Sequence, residues 1–255
     1  MAVMQKIGVS CVMDIGPRSS QQDCLLAGAD IFQEKRLVKT FDLIGPRVVL
    51  SVCDGLGGHA GGEAASRFAC ERLAARVPDC PAAPESLSFL LAEIQKEAQE
   101  SSLDPDAGST VAGMLVCDDR ALIFNAGDSR VYKLSSAGIT RLSHDHSFVQ
   151  RMVDGSLLTK DEAFSHPFRN LVDLGVGPTF SSVWGKYTAH IHEEALKKDT
   201  WFLLCSDGLH DVLTESRIHE ILMPDPLENS LELLAAAKAA KWKDNTSYII
   251  ARVDF

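Results

Sequence analysis

Apolar residues along this chain come in short runs rather than in one long span. Residues 7–13 alternate enough to form a strand, and Asp14-Ile15-Gly16-Pro17 reads as a turn after it. Val48 to Cys53 is a continuous β-branched run that predicts a buried strand, followed by a glycine-rich turn and then helix. Residues 108–116, 121–126 and 201–205 read as further strands, and a last one follows Asp244. Tight Gly-Asp residues at 127–128 suggest an ordinary hairpin between 121–126 and the apolar residues that follow. Helical spacing is predicted over 63–77, with Ala64, Phe68 and Leu73 toward one side, and over 85–99, with Leu87, Leu90, Leu91 and Ile94. Residues 147–153 and about 226–241 also read as helical, and Thr159 with Glu162 forms a capping box that starts another short helix. The stretch between Gly28 and Val48 reads as loop.

Length narrows the architecture. At 255 residues without a linker, repeat or low-complexity tract, the chain reads as one domain, 1–255, with a flap-like insertion at about 144–179. A formal charge of -10 and the lack of a basic cluster disfavour nucleic-acid binding. No apolar run is long enough to span a bilayer, and residues 1–6 lack a signal-peptide pattern. Seven cysteines sit singly, without a C-x-x-C pair. They read as buried, reduced core residues, and a cytoplasmic setting is the expectation.

Candidate chemistry gathers at strand ends. Gly55-Leu56-Gly57-Gly58-His59-Ala60 fits the loose dinucleotide pattern G-x-G-x-x-G/A. That reading needs a parallel strand after the next helix, whereas Pro78-Asp79-Cys80-Pro81 and a second helix follow. Asp54 at the turn would also repel a pyrophosphate. A carboxylate beside a backbone carbonyl suits a hard divalent cation, and a helix-capping Asp is the local alternative. Asp54, Asp128, Asp207 and Asp244 each mark one end of a strand-like run. Two carboxylates about 4 Å apart repel by roughly 4 kcal/mol at an effective dielectric near 20, so a cluster of four calls for cations. His144-Asp145-His146 could bind a metal, but without nearby partners a cap-and-turn role is the simpler reading. Arg18 and Asp23, on local grounds, would pair at the surface.

Taken in order, these motifs resemble the metal-dependent protein serine/threonine phosphatases of the PPM family (type 2C), in particular its compact bacterial branch. The resemblance rests on Arg18 through Asp23, Asp54-Gly55-Leu56-Gly57-Gly58-His59 with Gly62 through Ser66, and Gly108-Ser109-Thr110. It extends through Asn125 to Arg130, Cys205 to Leu209, and Asp244-Asn245, with Ser143 to Ser147, His166-Pro167 and Arg169-Asn170 as the flap region.

It implies an α+β fold, a four-layer α-β-β-α sandwich of two mainly antiparallel sheets flanked by helices. It implies two, and with a weaker site three, Mn²⁺ or Mg²⁺ ions. Asp54 would bridge two of them, the Gly55 carbonyl would hold one, and Asp207 with Asp244 would complete the other site. Asp128 with Asp207 would take the third. Arg18 would clamp the substrate phosphate and Asp23 would hold the water. The activity implied is hydrolysis of phosphoserine and phosphothreonine in proteins, by a monomer opposing a serine/threonine kinase. Two metals about 3.5–4 Å apart suit in-line attack on phosphorus, one of the slowest uncatalysed reactions.

The chain departs from the family pattern at Gln21 and Gln22, where Asn and an acid are usual, and at Val172-Asp173-Leu174-Gly175, where Arg-Ala-Leu-Gly is more usual. Leu56 stands where eukaryotic relatives carry a histidine proposed as general acid, and His59 is not an evident substitute. The alternatives are a catalytically weak phosphoprotein-binding or sensor relative, and a phosphatase for small molecules.

Overall fold

A computed structural model describes residues 4–58, 60–223 and 225–254. The order is β1 (Gln5–Asp14), β2 (Asp23–Ala27), β3 (Asp30–Phe32), β4 (Arg36–Gly45), β5 (Arg47–Leu56), α1 (Gly61–Arg76) and α2 (Pro84–Gln99). Then come β6 (Gly108–Ser109), β7 (Val111–Cys117), β8 (Arg120–Ala126), β9 (Arg130–Ser135), β10 (Gly138–Arg141), α3 (Phe148–Asp154) and α4 (Lys160–Phe164). The chain closes with β11 (His190–Ala195), β12 (Thr200–Cys205), α5 (Asp207–His210), α6 (Glu215–Leu222), α7 (Ser230–Ala239) and β13 (Thr246–Asp254).

Two antiparallel sheets stack face to face. One runs β10-β9-β12-β13-β1-β4, the other β11-β8-β7-β5-β2-β3 with β6 paired to β5. Alternation along each central strand makes the layers. Val48, Leu50 and Val52 of β5 meet Ile249, Ala251 and Val253 of β13 between the sheets. Val49 and Cys53 point the other way onto α1 and α2, while Tyr248 and Ile250 face α6 and α7. A strand covered on both faces favours apolar residues at nearly every position, and the buried exception in β5, Ser51, donates its hydroxyl to the Ala112 carbonyl at 3.0 Å. The four-layer α-β-β-α sandwich is therefore the fold.

Three local expectations need correction. The stretch between Gly28 and Val48 holds β3 and the ten-residue β4, not a loop. β4 is an edge strand with most side chains exposed, so it lacks a buried-strand signature. The buried face of α1 is Gly62, Ala65, Ser66, Ala69, Cys70 and Leu73; Leu73 and the partly buried Phe68 pack as expected, but Ala64 is exposed. Small residues win there because the helix lies directly on β5 and β2. Finally, β8 and β9 do not form a hairpin. β8 pairs with β7 and β11 in one sheet, and β9 with β10 and β12 in the other. The Gly127-Asp128-Ser129 turn carries the chain across the sandwich. Gly127 takes φ +114 there, and a Cβ on it would meet the Thr110 side chain at 2.6 Å.

The seven cysteines are buried and unbridged. Among the described residues no helix is long and apolar enough to cross a membrane. The α4 capping box is formed, with the Thr159 hydroxyl accepting from the Glu162 N–H and the Glu162 carboxylate from the Thr159 N–H.

Candidate active site

Four chain segments meet at one end of the sandwich. Asp54 lies at the end of β5, directly opposite Asp23 at the start of β2. The Asp54 N–H donates to Thr110 Oγ1 at 3.1 Å, and its carbonyl accepts from the Thr110 N–H at 2.8 Å. Gly55 follows, its N–H donating to the Gln22 carbonyl. A Cβ on Gly55 would fall 2.1 Å from the Gly62 carbonyl oxygen and 2.7 Å from that of Gln22. Only glycine lets the first turn of α1 approach this closely.

The other sheet supplies Asp207 and Asp244. After β12, the Ser206 N–H donates to the Ser247 carbonyl, and its hydroxyl donates to Asp23 Oδ2 at 2.9 Å. Ser206 thus ties the two sheets together at the site. Gly208 packs so tightly that a Cβ would come 1.9 Å from the Asn245 carbonyl oxygen. Asn245 is the staple for the N-terminal turn. Its Oδ1 accepts from the Gln22 N–H at 2.7 Å, and its Nδ2 donates to the carbonyls of Ile15 and Ser20. Arg18 is held on the same edge, with Nη2 2.5 Å from Asp244 Oδ2 and Nε donating to the Lys243 carbonyl. The expected surface pair of Arg18 and Asp23 does not form, because Asp23 is buried.

Crowded carboxylates dominate the electrostatics. Burial first, then Asp23, Asp207, Asp244 and Asp128, push the Asp54 carboxyl well above the usual carboxylate range. Asp207 is raised well above it by burial and by Asp128, Asp211, Asp244 and Asp23. Asp23 is pushed up chiefly by burial. Asp23 Oδ1 and Asp207 Oδ1 are buried and accept no hydrogen bond. Orphaned carboxylate oxygens among like charges are what a divalent cation satisfies, and an all-oxygen donor set matches Mg²⁺ or Mn²⁺. Among the described residues no three His, Cys, Asp or Glu side chains converge on one point. A cation here would draw on one or two carboxylates, with a carbonyl and water completing its shell, which is the habit of a small hard ion. The residues fit the group.

Asp128 adjoins this cluster from the crossing turn. Its carboxyl is raised by burial, then by Asp145 and Asp211. His210 Nε2–H donates to its carbonyl at 3.1 Å, and Ser129 Oγ is 2.6 Å from Thr110 Oγ1. Asp211 is a further acidic residue of this site, beyond those the sequence motifs mark. It caps α5 one turn beyond Asp207, its carboxyl is raised by burial, and Arg169 Nε of the flap lies 3.0 Å from its Oδ2. The i, i+4 spacing from Asp207 was the available signal. His144 and His146 serve the loop: His144 Nε2 lies 3.0 Å from Asp154, and His146 Nε2–H donates to the Thr188 carbonyl. His59 lies outside the described residues.

A carboxylate pocket at one end of a two-sheet sandwich, beside a basic clamp, defines the class. The family model for protein phosphatase 2C matches residues 40–242, and the chain belongs to that family. The serine/threonine protein phosphatase PstP of Mycobacterium tuberculosis is 33% identical over 218 residues, covering 80% of this chain and 40% of that protein. The chain thus spans about 40% of the length of that curated relative. The crystal structure of serine/threonine phosphatase Stp1 from Staphylococcus aureus superposes with a TM-score of 0.79 at 27% identity, covering 100% of this chain and 96% of that one. A PstP catalytic domain in complex with two manganese ions superposes with a TM-score of 0.76 at 25% identity, covering 99% and 100%.

Proposed function

We propose that this chain is a phosphoprotein phosphatase that hydrolyses phosphoserine and phosphothreonine with two divalent ions, Mn²⁺ or Mg²⁺. The observation that carries the reading is Asp54 facing Asp23 within electrostatic reach of Asp207 and Asp244, with Asp23 Oδ1 and Asp207 Oδ1 buried and unpartnered and Arg18 paired to Asp244 at the edge. When bound, a pair of such ions activates water for in-line attack and neutralises phosphoryl oxygens.

The chain's own residues do the rest. Asp54, the Gly55 carbonyl, Asp207 and Asp244 would hold the pair of ions, and Asp128 with Asp207 would hold a third, weaker one, with Asp211 nearby. Asp23, held by Ser206, orients the attacking water by accepting its hydrogen bond. Arg18 offers the phosphate a permanent charge and planar donors. Its side chain is 54% exposed, so an incoming phosphate can reach it. Leu56 is apolar, so the proton for the leaving serine or threonine oxygen comes from solvent or from a group other than residue 56.

All these residues come from one unit, 1–255, consistent with a monomer. The substrates are phosphoproteins made by an opposing serine/threonine kinase. Seven unbridged thiols support a cytoplasmic setting. Purified protein is expected to hydrolyse a phosphothreonine peptide with Mn²⁺ and to stop in chelator. Turnover that persists in excess chelator would reject the reading.

A further inference from the structure

The turn between β1 and β2 that carries Arg18 is seated on the end of α7. Asp14, buried at the end of β1, accepts the Gly16 N–H with Oδ1 at 2.9 Å. Its Oδ2 lies 2.9 Å from Lys238 Nζ and 3.9 Å from Arg36 Nε. A Cβ on Gly16 would come 2.4 Å from the Asp244 carbonyl oxygen and 3.5 Å from the Trp242 ring, and Lys238 Nζ stands 5.3 Å from the centre of that ring. The Ile15 N–H donates to the Lys35 carbonyl at 2.9 Å, and Arg18 Nε donates to the Lys243 carbonyl. Segments far apart in the chain are thereby fixed around one turn, and each brings cations.

Arg18, Lys35, Arg36, Lys238, Lys241 and Lys243 are all exposed there. Asp14 faces Arg36 and Lys238, Asp244 pairs with Arg18, and Glu34 is the exposed acid beside Lys35. Lys35, Lys241 and Lys243 have no ion-pair partner among the described residues. Over the whole chain acids outnumber Lys and Arg by 35 to 25, so this rim reverses the sign of its surroundings. It leaves no mark as a basic run because residues 18, 35–36 and 238–243 supply it from separate places. The rim lies at the Asp244 edge of the site, and the flap contributes none of it.

We propose that this basic rim docks a run of aspartate or glutamate residues flanking the phosphorylated residue of the substrate protein. It rests on the phosphatase reading above and gives that site a substrate class. Continuity with the site and charge identify the occupant. Arg18 belongs to both, so a chain whose phosphate meets Arg18 carries its neighbouring residues over Lys241 and Lys243 on one side. Carboxylates there meet charge of the opposite sign, which steers encounter and fixes register. An apolar residue would gain nothing, because solvated ammonium groups would have to be dehydrated beside it. Three exposed ion pairs, one each for Lys35, Lys241 and Lys243, together correspond to a preference of about tenfold at low salt.

The test compares phosphothreonine peptides carrying three aspartates before or after the phosphoresidue with the same peptides carrying serines. Mn²⁺ is present at low salt, and p-nitrophenyl phosphate is the reference ester without flanking residues. The unmodified chain should favour aspartate on one side by about tenfold in kcat/KM, through KM, and lose that preference in about 1 M NaCl, where charges are screened within about 3 Å. Lys35→Glu combined with Lys241→Glu should bring the ratio to one or below, while turnover of p-nitrophenyl phosphate and the melting midpoint stay unchanged. Lys35→Ala with Lys241→Ala serves if the charge reversal fails to fold. No aspartate preference, or one that survives high salt or the folded double variant, overturns the proposal. Retention on phosphatidylserine vesicles without any peptide preference overturns it as well. If Mn²⁺ supports no hydrolysis even of p-nitrophenyl phosphate, the phosphatase reading fails by itself. Fluorescence anisotropy of the same labelled peptides then decides the rim by the same aspartate-to-serine ratio.

Discussion

Arg18 reaches across 226 residues of sequence to place Nη2 2.5 Å from Asp244 Oδ2, while its Nε donates to the Lys243 carbonyl. The residue expected to hold phosphate and a residue expected to hold metal are joined in one ion pair. Both partners are partly exposed, at 54% and 34%. Such a pair contributes about 0–1 kcal/mol to stability. Arg18→Ala should leave the thermal midpoint nearly unchanged. Loss of a charge-assisted contact to phosphate, about 1.5–3 kcal/mol, should lower kcat/KM for a phosphopeptide roughly 10- to 150-fold. Steady-state kinetics beside a melting curve check this; a large drop in midpoint with intact kinetics would show a structural Arg18 instead.

Asp207 is held among like charges with an unpartnered buried oxygen. Asp207→Asn removes that repulsion and should raise the midpoint in chelator. It should also remove turnover and most of the stabilisation added by Mn²⁺. For the unmodified protein, saturation at about 100 times Kd would add about 2.7 kcal/mol. Melting with and without Mn²⁺ measures both effects, and a variant stabilised by Mn²⁺ as strongly as the parent would remove Asp207 from the metal site.

Gly208 packs against backbone, with the Asn245 carbonyl oxygen 1.9 Å from where a Cβ would stand. Gly208→Ala must therefore push α5 away from the start of β13. Overpacking of this kind costs about 1–3 kcal/mol. Because Asp207 and Asp244 flank the contact, activity should fall further than the urea midpoint alone accounts for. Equal activity per folded molecule would contradict this.

Asp145 is 5% exposed in its side chain and bound by Arg130 and Arg141. Burial raises its pKa, but the two guanidinium groups outweigh burial and hold it below the usual carboxylate range. A carboxyl lowered in the folded state stabilises the protein at pH above its unfolded value, near 3.9, and that contribution is lost as pH falls through the folded value. Asp145→Asn should cost about 1.5–3 kcal/mol at pH 7, because two partly buried guanidinium groups lose their counter-ion. The difference from the parent should shrink below about pH 4. Urea unfolding from pH 3 to 7 would show it, and a gap constant across that range would refute the assignment.

Much of this was legible from local sequence. β5, β12 and β13 announce themselves because both their faces are covered, and α2 because its leucines recur at helical spacing. β4 was not legible, since an edge strand with a solvated face carries no continuous apolar run. The buried face of α1 is only partly legible, through Leu73 and Phe68, because close approach selects glycine, alanine and serine, which hydrophobicity ranks low.

Sequence by itself determined which residue types stand at the strand ends, and so the oxygen-rich chemistry available to the site. Only the tertiary structure decided that Asp23 faces Asp54, that Gly127-Asp128-Ser129 crosses between sheets, and that Arg18 meets Asp244 and Arg169 meets Asp211. The reason is range. Side-chain periodicity is written within a few residues, whereas strand pairing and ion pairing depend on contacts dozens to hundreds of residues apart, which leave no local mark.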